Sequence, residues 1–306
     1  MRLHAQNAAR LSEVPASEWD ALDTRGNPFL SHAFLEALES CGCVGSDSGW
    51  APHHLLLRDD AGCLVGAVPR YVKSHSWGEF VFDWSWAQAY AHAGLDYYPK
   101  QLAAIPFTPV TGPRLLVRGG HDATALRRSL AGSLRRDAER QGHSGAHANF
   151  TTADDQQALE AAGFLRRHDV RFLWRNRGYR DFEDYLDGFR ADKRKKVRRE
   201  RRRVAESGIV FRSLTGESID RPLWNTIFAF SERTFLLHGN AHYLNATFLA
   251  GVAQRRPGSV VVKLAERDGT PVAAAIFFQG GGKLYGRYWG SAGHGDSLHF
   301  EACYYQ

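Results

Sequence analysis

The sequence predicts a mixed α/β (α+β) protein of two consecutive domains, each a mixed, mostly antiparallel sheet flanked by helices, with the second domain ending before its core is closed. Three observations carry this. The chain has 306 residues, about twice an ordinary domain. Its 43% hydrophobic and 12% aromatic content, with no low-complexity tract, suits a chain that folds around cores. One strand pattern also occurs twice, at matching intervals.

In the first copy, His54 to Arg58 and Val65 to Tyr71 read as strands joined by the turn Asp59-Asp60-Ala61-Gly62, and Glu79 to Trp84 reads as a third strand. In the second copy, Val260 to Glu266 and Val272 to Phe278 flank Arg267-Asp268-Gly269-Thr270, and Lys283 to Trp289 is the third strand. After the first meander comes an irregular, proline-rich and aromatic insertion from Ala89 to Val117. Leu126, Leu130 and Leu134 recur at helical spacing and mark a helix over Ala123 to Arg140. Gly145 to Phe150 is strand-like, a helix follows Asp154 and closes at Gly163, and Phe164 to Trp174 reads as a strand or bent pair.

The second half opens with Phe182, Tyr185, Leu186 and Phe189 on one helical face, and that helix is expected to continue to Gly208. Helices are expected over Arg221 to Phe235 and Leu244 to Ala253, ahead of the repeated meander. Ser297 reads as an N-cap and Leu298 as the start of a last helix. The domains are thus 1–174 and 175–306, and by comparison with the first copy the second lacks roughly 40 to 70 residues.

The first fifteen residues hold no continuous apolar stretch, and the run Val272 to Phe278 is too short to span a bilayer. A cytoplasmic protein without a membrane span is therefore expected. Cys41, Cys43, Cys63 and Cys303 are too sparse for a disulfide framework and lack zinc-finger spacing, so they read as reduced thiols. His238 and His242 are four apart but have no carboxylate at the intervening zincin position, so no metal is expected. The net charge of +6 favours an anionic partner. It gathers between Lys193 and Arg203, where Arg194, Lys195, Arg198, Arg199 and Arg202 are candidates for phosphate contact with tRNA or the CoA 3'-phosphate. A solvated helix paired with the acidic residues just upstream accounts for the same run.

Four stretches, NPFLSHAFL at Asn27 to Leu35, DWSWAQAY at Asp83 to Tyr90, PFTPVTGP at Pro106 to Pro113 and LHFEACYY at Leu298 to Tyr305, resemble the FemAB-like branch of the GNAT superfamily, known as peptidoglycan biosynthesis or recognition proteins. The resemblance spans most of the chain. It implies tandem GNAT-like domains and an acyltransferase that passes an acyl or aminoacyl group to an amine, with acyl-CoA or aminoacyl-tRNA as co-substrate and no tightly bound cofactor. An acetyl-CoA-dependent N-acetyltransferase, or a non-catalytic RNA-binding protein on a GNAT scaffold, stands as the alternative. Fem ligases use aminoacyl-tRNA and often carry a helical hairpin; no such hairpin is visible here.

Acetyltransferases of the superfamily hold the CoA pyrophosphate in a Gln/Arg-x-x-Gly-x-Gly/Ala loop before a helix. Arg287 to Ala292 (RYWGSA) fits that pattern and is followed by Gly293, Gly295 and Ser297, so Arg287, Gly290, Gly293, Gly295 and Ser297 are the cofactor-binding candidates. Plain turn chemistry explains the glycines equally. Aminolysis needs a proton acceptor, and Glu301, His299 and Asp296 stand near this junction, with Glu301 preferred. Tyr304 or Tyr305 is a candidate to reprotonate the leaving group, against an ordinary core role. Trp84, Trp86, Tyr90, Phe107, Thr108, Thr111 and Arg114 are candidates for an acceptor pocket in or beside the first domain's loop, or for a seal.

Overall fold

Two single-residue breaks decide how the first half is built. In this computed structural model, which describes residues 2–170, 172–293, 295 and 297–306, the run expected as one strand from Val65 to Tyr71 is interrupted at Pro69. Proline has no N–H for a ladder, so the chain leaves one sheet and enters another there. His53 makes the matching break in the preceding strand, and its N–H donates to the Arg70 carbonyl at 2.8 Å.

Contacts divide the chain into two units: Met1–Arg166 with Tyr243–Phe248 and Gly280–Gly282, and Arg167–His242 with Leu249–Gln279 and Lys283–Gln306. Unit 1 begins with β1 (His4–Ala8), α1 (Ala16–Trp19) and α2 (His32–Ser40), where the Ser31 hydroxyl caps α2 by accepting from Phe34 N–H. Then come β2 (Trp50–Pro52), β3 (His54–Arg58), β4 (Leu64–Val68) and β5 (Arg70–Lys73). They are followed by α3 (Trp84–His92), β6 (Lys100–Ala103), β7 (Leu116–Val117), α4 (Ala123–Arg140), β8 (Ala146–Ala148) and α5 (Ala153–Ala161). The sheets have orders β1-β3-β4-β7 and β2-β5-β6-β8. Every pair is antiparallel except β6 with β8, which the intervening α4 makes parallel. The Asp59 carboxylate accepts from Ala61 N–H and Cys63 N–H to shape the β3–β4 turn. Leu126, Leu130 and Leu134 of α4 close the core on Leu55, Leu57, Val65 and Val117, with Ala158 and Leu159 of α5 beside them.

Along the chain, β1, the β2–β3 pair of segments, the β4–β5 pair and β6 form an antiparallel succession. Unit 2 has the same plan in one sheet: β9 (Ile209–Thr215), β10 (Val260–Arg267), β11 (Thr270–Gly280) and β12 (Lys283–Ser291), ordered β12-β11-β10-β9. The strand pattern does recur, but its third member in unit 1 is β6. The expected strand Glu79 to Trp84 does not form. Residues 74–83 are irregular and Trp84 starts α3, because the two carboxylates of that stretch, Glu79 and Asp83, turn inward onto Lys100 and leave no ladder to join. Ala89 to Val117 is accordingly less irregular than expected, since it holds the end of α3 with β6 and β7.

The helices of unit 2 are α6 (Phe182–Asp187), α7 (Ala191–Glu206), α8 (Arg221–Leu237), α9 (Ala246–Arg255), whose residues through Phe248 group with unit 1, and α10 (Leu298–Phe300), which runs into a π-helical turn at Glu301–Tyr305. The helix expected to run from Phe182 to Gly208 is broken at Gly188 to Arg190. Residues 164–170 and 172–174 form no strand, and Leu165 and Phe172 are exposed there. β11 is buried from Ala273 to Phe278, so both faces of the sheet are covered. Ala273, Ala275 and Phe277 meet Val204, Leu298 and Ala302, and Trp289 of β12 joins that side. Its neighbours Tyr288 and Gly290 therefore face the other way, towards α8. All four cysteines are free thiols.

Candidate functional site

The floor of the site in unit 2 is where β12, an edge strand, meets α8. Asp220 caps α8 by accepting from Leu223 N–H at 2.9 Å, Pro222 pre-sets its first turn, and Trp224, Ile227, Phe230 and Ser231 form its buried face. Gly290 permits the closest approach: a Cβ there would lie 1.9 Å from the Phe230 carbonyl oxygen. Beside this contact opens a cavity of about 540 Å³. Arg233, Thr234, Phe235 and His238 line it from α8 and the residue after it, Arg287, Tyr288 and Trp289 from β12, and Ser291, Gly293, Gly295 and His299 from beyond the strand.

Among the described residues, two arginines and two histidines line this cavity and no carboxylate does, which gives that lining the field of an anion site. The Arg287 guanidinium lies 5.4 Å from the Tyr288 ring centre. His299 stands 5.3 Å from Trp289, open to solvent on one side. Partial burial pushes its pKa below the usual 6.5, which favours the neutral imidazole, the form that carries a basic nitrogen lone pair.

Arg287, Gly293, Gly295 and His299 thus come together. Gly290 lies on α8 instead of lining the cavity. Ser297 sits at φ 65° and makes no side-chain capping bond, which corrects its reading as an N-cap. Asp296 lies outside the described residues. Glu301 is absent from this cavity: it is buried, accepts from Arg201 Nε at 3.1 Å and Gln306 Nε2 at 2.7 Å, and lines a separate space of about 360 Å³ with Arg198 and Arg202. Tyr304 is exposed, 6.0 Å from the His299 ring, while burial raises the pKa of Tyr305.

On α7, Arg194 pairs with Asp187, Arg198 with Glu183, and Arg202 with Glu206. Lys195 and Arg199 are exposed and have no ion-pair partner among the described residues. None of the seven candidates for an acceptor pocket lines either of the two cavities described above. Trp84, Trp86 and Thr111 are exposed, and Tyr90 stands 5.1 Å from Tyr97. Phe107 is buried and stacks on Tyr243 at 4.9 Å, Thr108 donates to the Pro106 carbonyl, and the buried Arg114 donates to the carbonyls of Val110, Gly112 and Pro113. These last three residues hold the loop's shape.

A family profile described as peptidoglycan biosynthesis/recognition matches residues 10–306, nearly the whole sequence. The chain belongs to the FemAB-like family. Among solved structures, this FemAB-like chain is similar to a conserved protein of unknown function from Bacteroides thetaiotaomicron VPI-5482, at 10% identity and TM-score 0.48 over 99% of this chain and 85% of that one. It is also similar to a tandem GNAT protein from the clavulanic acid biosynthesis pathway, at 11% identity and TM-score 0.39 over 96% of this chain and 76% of that one. No curated protein matches it.

Sequence reasoning missed Arg233 and His238 among the residues that line this cavity. Arg233 stands about one turn from the end of α8, next to Glu232, and only the tertiary meeting with β12 brings it to the cavity. His238 was weighed only with His242 as a metal pair, and the two part company. His242 hydrogen-bonds Ser231 Oγ at 3.0 Å and stands 4.1 Å from the Phe235 ring, whereas His238 faces the cavity. Among the described residues, no group of three or more His, Cys, Asp and Glu is placed to hold a metal ion. No described helix is long and apolar enough to cross a membrane.

Proposed function

We propose that the unit 2 cavity is the transfer site of a cytoplasmic FemAB-like acyltransferase, which passes an acyl or aminoacyl group from a phosphate-bearing donor to an amine. The observation that carries this reading is that one cavity holds Arg233, Arg287, a glycine-containing loop and a neutral His299. Arg233 and Arg287 would bind donor phosphate, and Gly293 and Gly295 let the backbone come close to it. The acceptor amine attacks the donor carbonyl carbon and a C–N bond forms. His299 takes the proton from that nitrogen, the tetrahedral intermediate collapses, and the C–S bond of a thioester or the C–O bond of an ester breaks. Tyr304, exposed near His299, is a proton source for the departing thiolate or alkoxide.

His299, not Glu301, is the base in this reading, because Glu301 is tied to Arg201 in another cavity. Acyl-CoA and aminoacyl-tRNA both fit the chemistry, and an acetyl-CoA-dependent N-acetyltransferase is the narrower form of the first. A specific observation favours tRNA: Lys195 and Arg199 of α7 are exposed and outside any ion pair among the described residues. The family description supports an amine of a peptidoglycan precursor as acceptor. Calorimetric titration with CoA and with aminoacyl-tRNA, beside mass-spectrometric detection of acylated amine, tests the reading. Saturable donor binding that weakens in Arg233→Ala and Arg287→Ala is expected. Donor binding unaffected by both changes would remove this cavity from the reaction.

A further inference from the structure

Two fully buried lysines in unit 1 hold two exposed tryptophans. Trp77 is 61% exposed, yet its carbonyl accepts from the Trp50 indole N–H at 3.0 Å and from Lys73 Nζ at 3.5 Å. Lys73 also donates to the Gly49 carbonyl at 2.9 Å and lies 3.9 Å from the Trp50 ring centre. The next residue, Gly78, has φ +78°, and a Cβ there would come within 2.6 Å of the Phe107 ring. The backbone under Trp77 is therefore clamped from two directions while its indole faces water. Trp84, 41% exposed, begins α3 directly after Asp83, whose carboxylate accepts from Lys100 Nζ and from the Tyr97 hydroxyl at 2.7 Å. Lys100 donates as well to Glu79 at 2.9 Å. No residue of α3 is buried.

Removing charges from water costs several kcal/mol per ion, so such a cluster is poor evidence of a gain in stability. What it does determine is position: the Trp77 and Trp84 rings stand with centroids 5.3 Å apart and planes inclined at 60°. Ring ligands bind such a surface best when its side chains are already ordered. The chemistry of the ligand follows from charge. Residues 74–95 contain no Lys or Arg, and their only carboxylates, Glu79 and Asp83, are buried on Lys100. A polyanion has no counter-charge on this segment. A cationic ligand finds no outward carboxylate there, and a membrane-surface helix would carry basic residues on its polar face. A neutral pyranose, whose two faces present C–H groups to aromatic rings and whose rim presents hydroxyls to water, matches both the rings and the lack of charge.

We propose that Trp77 and Trp84 form a binding platform for a neutral glycan. The platform is separate from the transfer chemistry, and its test reads binding alone. The intrinsic fluorescence of the full chain is titrated with chitotetraose, a soluble neutral oligosaccharide, and in parallel with phosphatidylcholine vesicles and with tRNA. A saturable change with the oligosaccharide is expected, about fivefold weaker in Trp77→Ala and in Trp84→Ala and largely restored in Trp84→Phe, a fivefold loss being about 1 kcal/mol at 1.4 kcal/mol per tenfold. Both side chains point to solvent, so circular dichroism should be unchanged in the variants. No saturable change with chitotetraose, a change that survives both alanine substitutions, or a response of Trp77 and Trp84 to vesicles or tRNA alone would each overturn the proposal.

Discussion

Three residues of the unit 2 site make separable predictions. If His299 accepts the amine proton, His299→Gln should lower kcat by about 10²- to 10⁴-fold with donor affinity retained. The wild-type rate should rise with pH through a midpoint below 6.5, because burial holds this imidazole neutral, and the variant should lose that limb. Steady-state kinetics over pH 4.5 to roughly 8 read both effects. Glu301→Gln should behave differently: one oxygen accepts from Arg201 and Gln306 and the other has no hydrogen-bond partner among the described residues, so the change should cost about 1–3 kcal/mol of stability and leave the rate nearly intact. A collapse of turnover in a folded Glu301→Gln protein would restore it as the base. Gly290→Ala forces a methyl into the Phe230 carbonyl and should destabilise unit 2 by about 1–3 kcal/mol or more, seen as a lower urea midpoint and weaker donor binding. The glycines were visible in the sequence, but their division of labour was not. Gly290 serves a helix–strand contact and Gly293 a cavity wall, and nothing in RYWGSAG separates the two uses before α8 is in place.

At the scale of elements, legibility followed locality. Helix α4 was readable because its leucines recur at a period set by the helix itself, and Ala123–Arg140 is what forms. The turn at Asp59 to Gly62 was readable for the same reason. Strand β9 was overlooked, although Ile209 and Phe211 alternate with exposed residues, since seven residues after a long basic helix look like its tail. The segment Glu79 to Trp84 was misread because Lys100 on β6, a partner distant in sequence, draws in Glu79 and Asp83, while Lys73 at the end of β5 holds the chain just before it. That clasp has a pH signature. Burial lowers the Lys73 pKa to about 7; Lys100 acts in the same direction, and Glu79 and Asp83 oppose it, while His75 is the remaining titratable neighbour. Above about pH 7 the folded protein has lost this proton, and the unfolded chain keeps it until about 10.5. The unfolded state then binds more protons, so stability rises with pH in this window. Urea midpoints at pH 7 and pH 9 should show the rise in the wild type and a smaller one in Lys73→Met. Equal slopes in the two proteins would mean that Lys73 is charged in the folded state.

Over the whole molecule, charge is distributed with an extreme bias. Helix α7 contains nine Lys and Arg and three Asp and Glu, a net charge of +6, which is the net charge of the entire 306-residue chain. The rest of the protein sums to zero charge, so α7 carries the chain's whole net excess. The basic run was obvious in the sequence; which of its charges are spent on Asp187, Glu183, Glu206 and Glu301 became visible only with the fold. Lys193, Lys195, Arg199 and Arg203 are in no ion pair among the described residues and carry the part left over, with Lys195 and Arg199 the two at the middle of the helix. If α7 contacts tRNA phosphate, replacing both by Ala should weaken binding and make the slope of log K against log salt shallower by about 1.5 to 2, one counterion release lost per contact removed. The fold should be untouched, because both side chains are exposed. Affinity and salt slope equal to wild type would show that these charges only keep the helix solvated, and would leave acyl-CoA as the donor that the cavity between α8 and β12 has to accommodate.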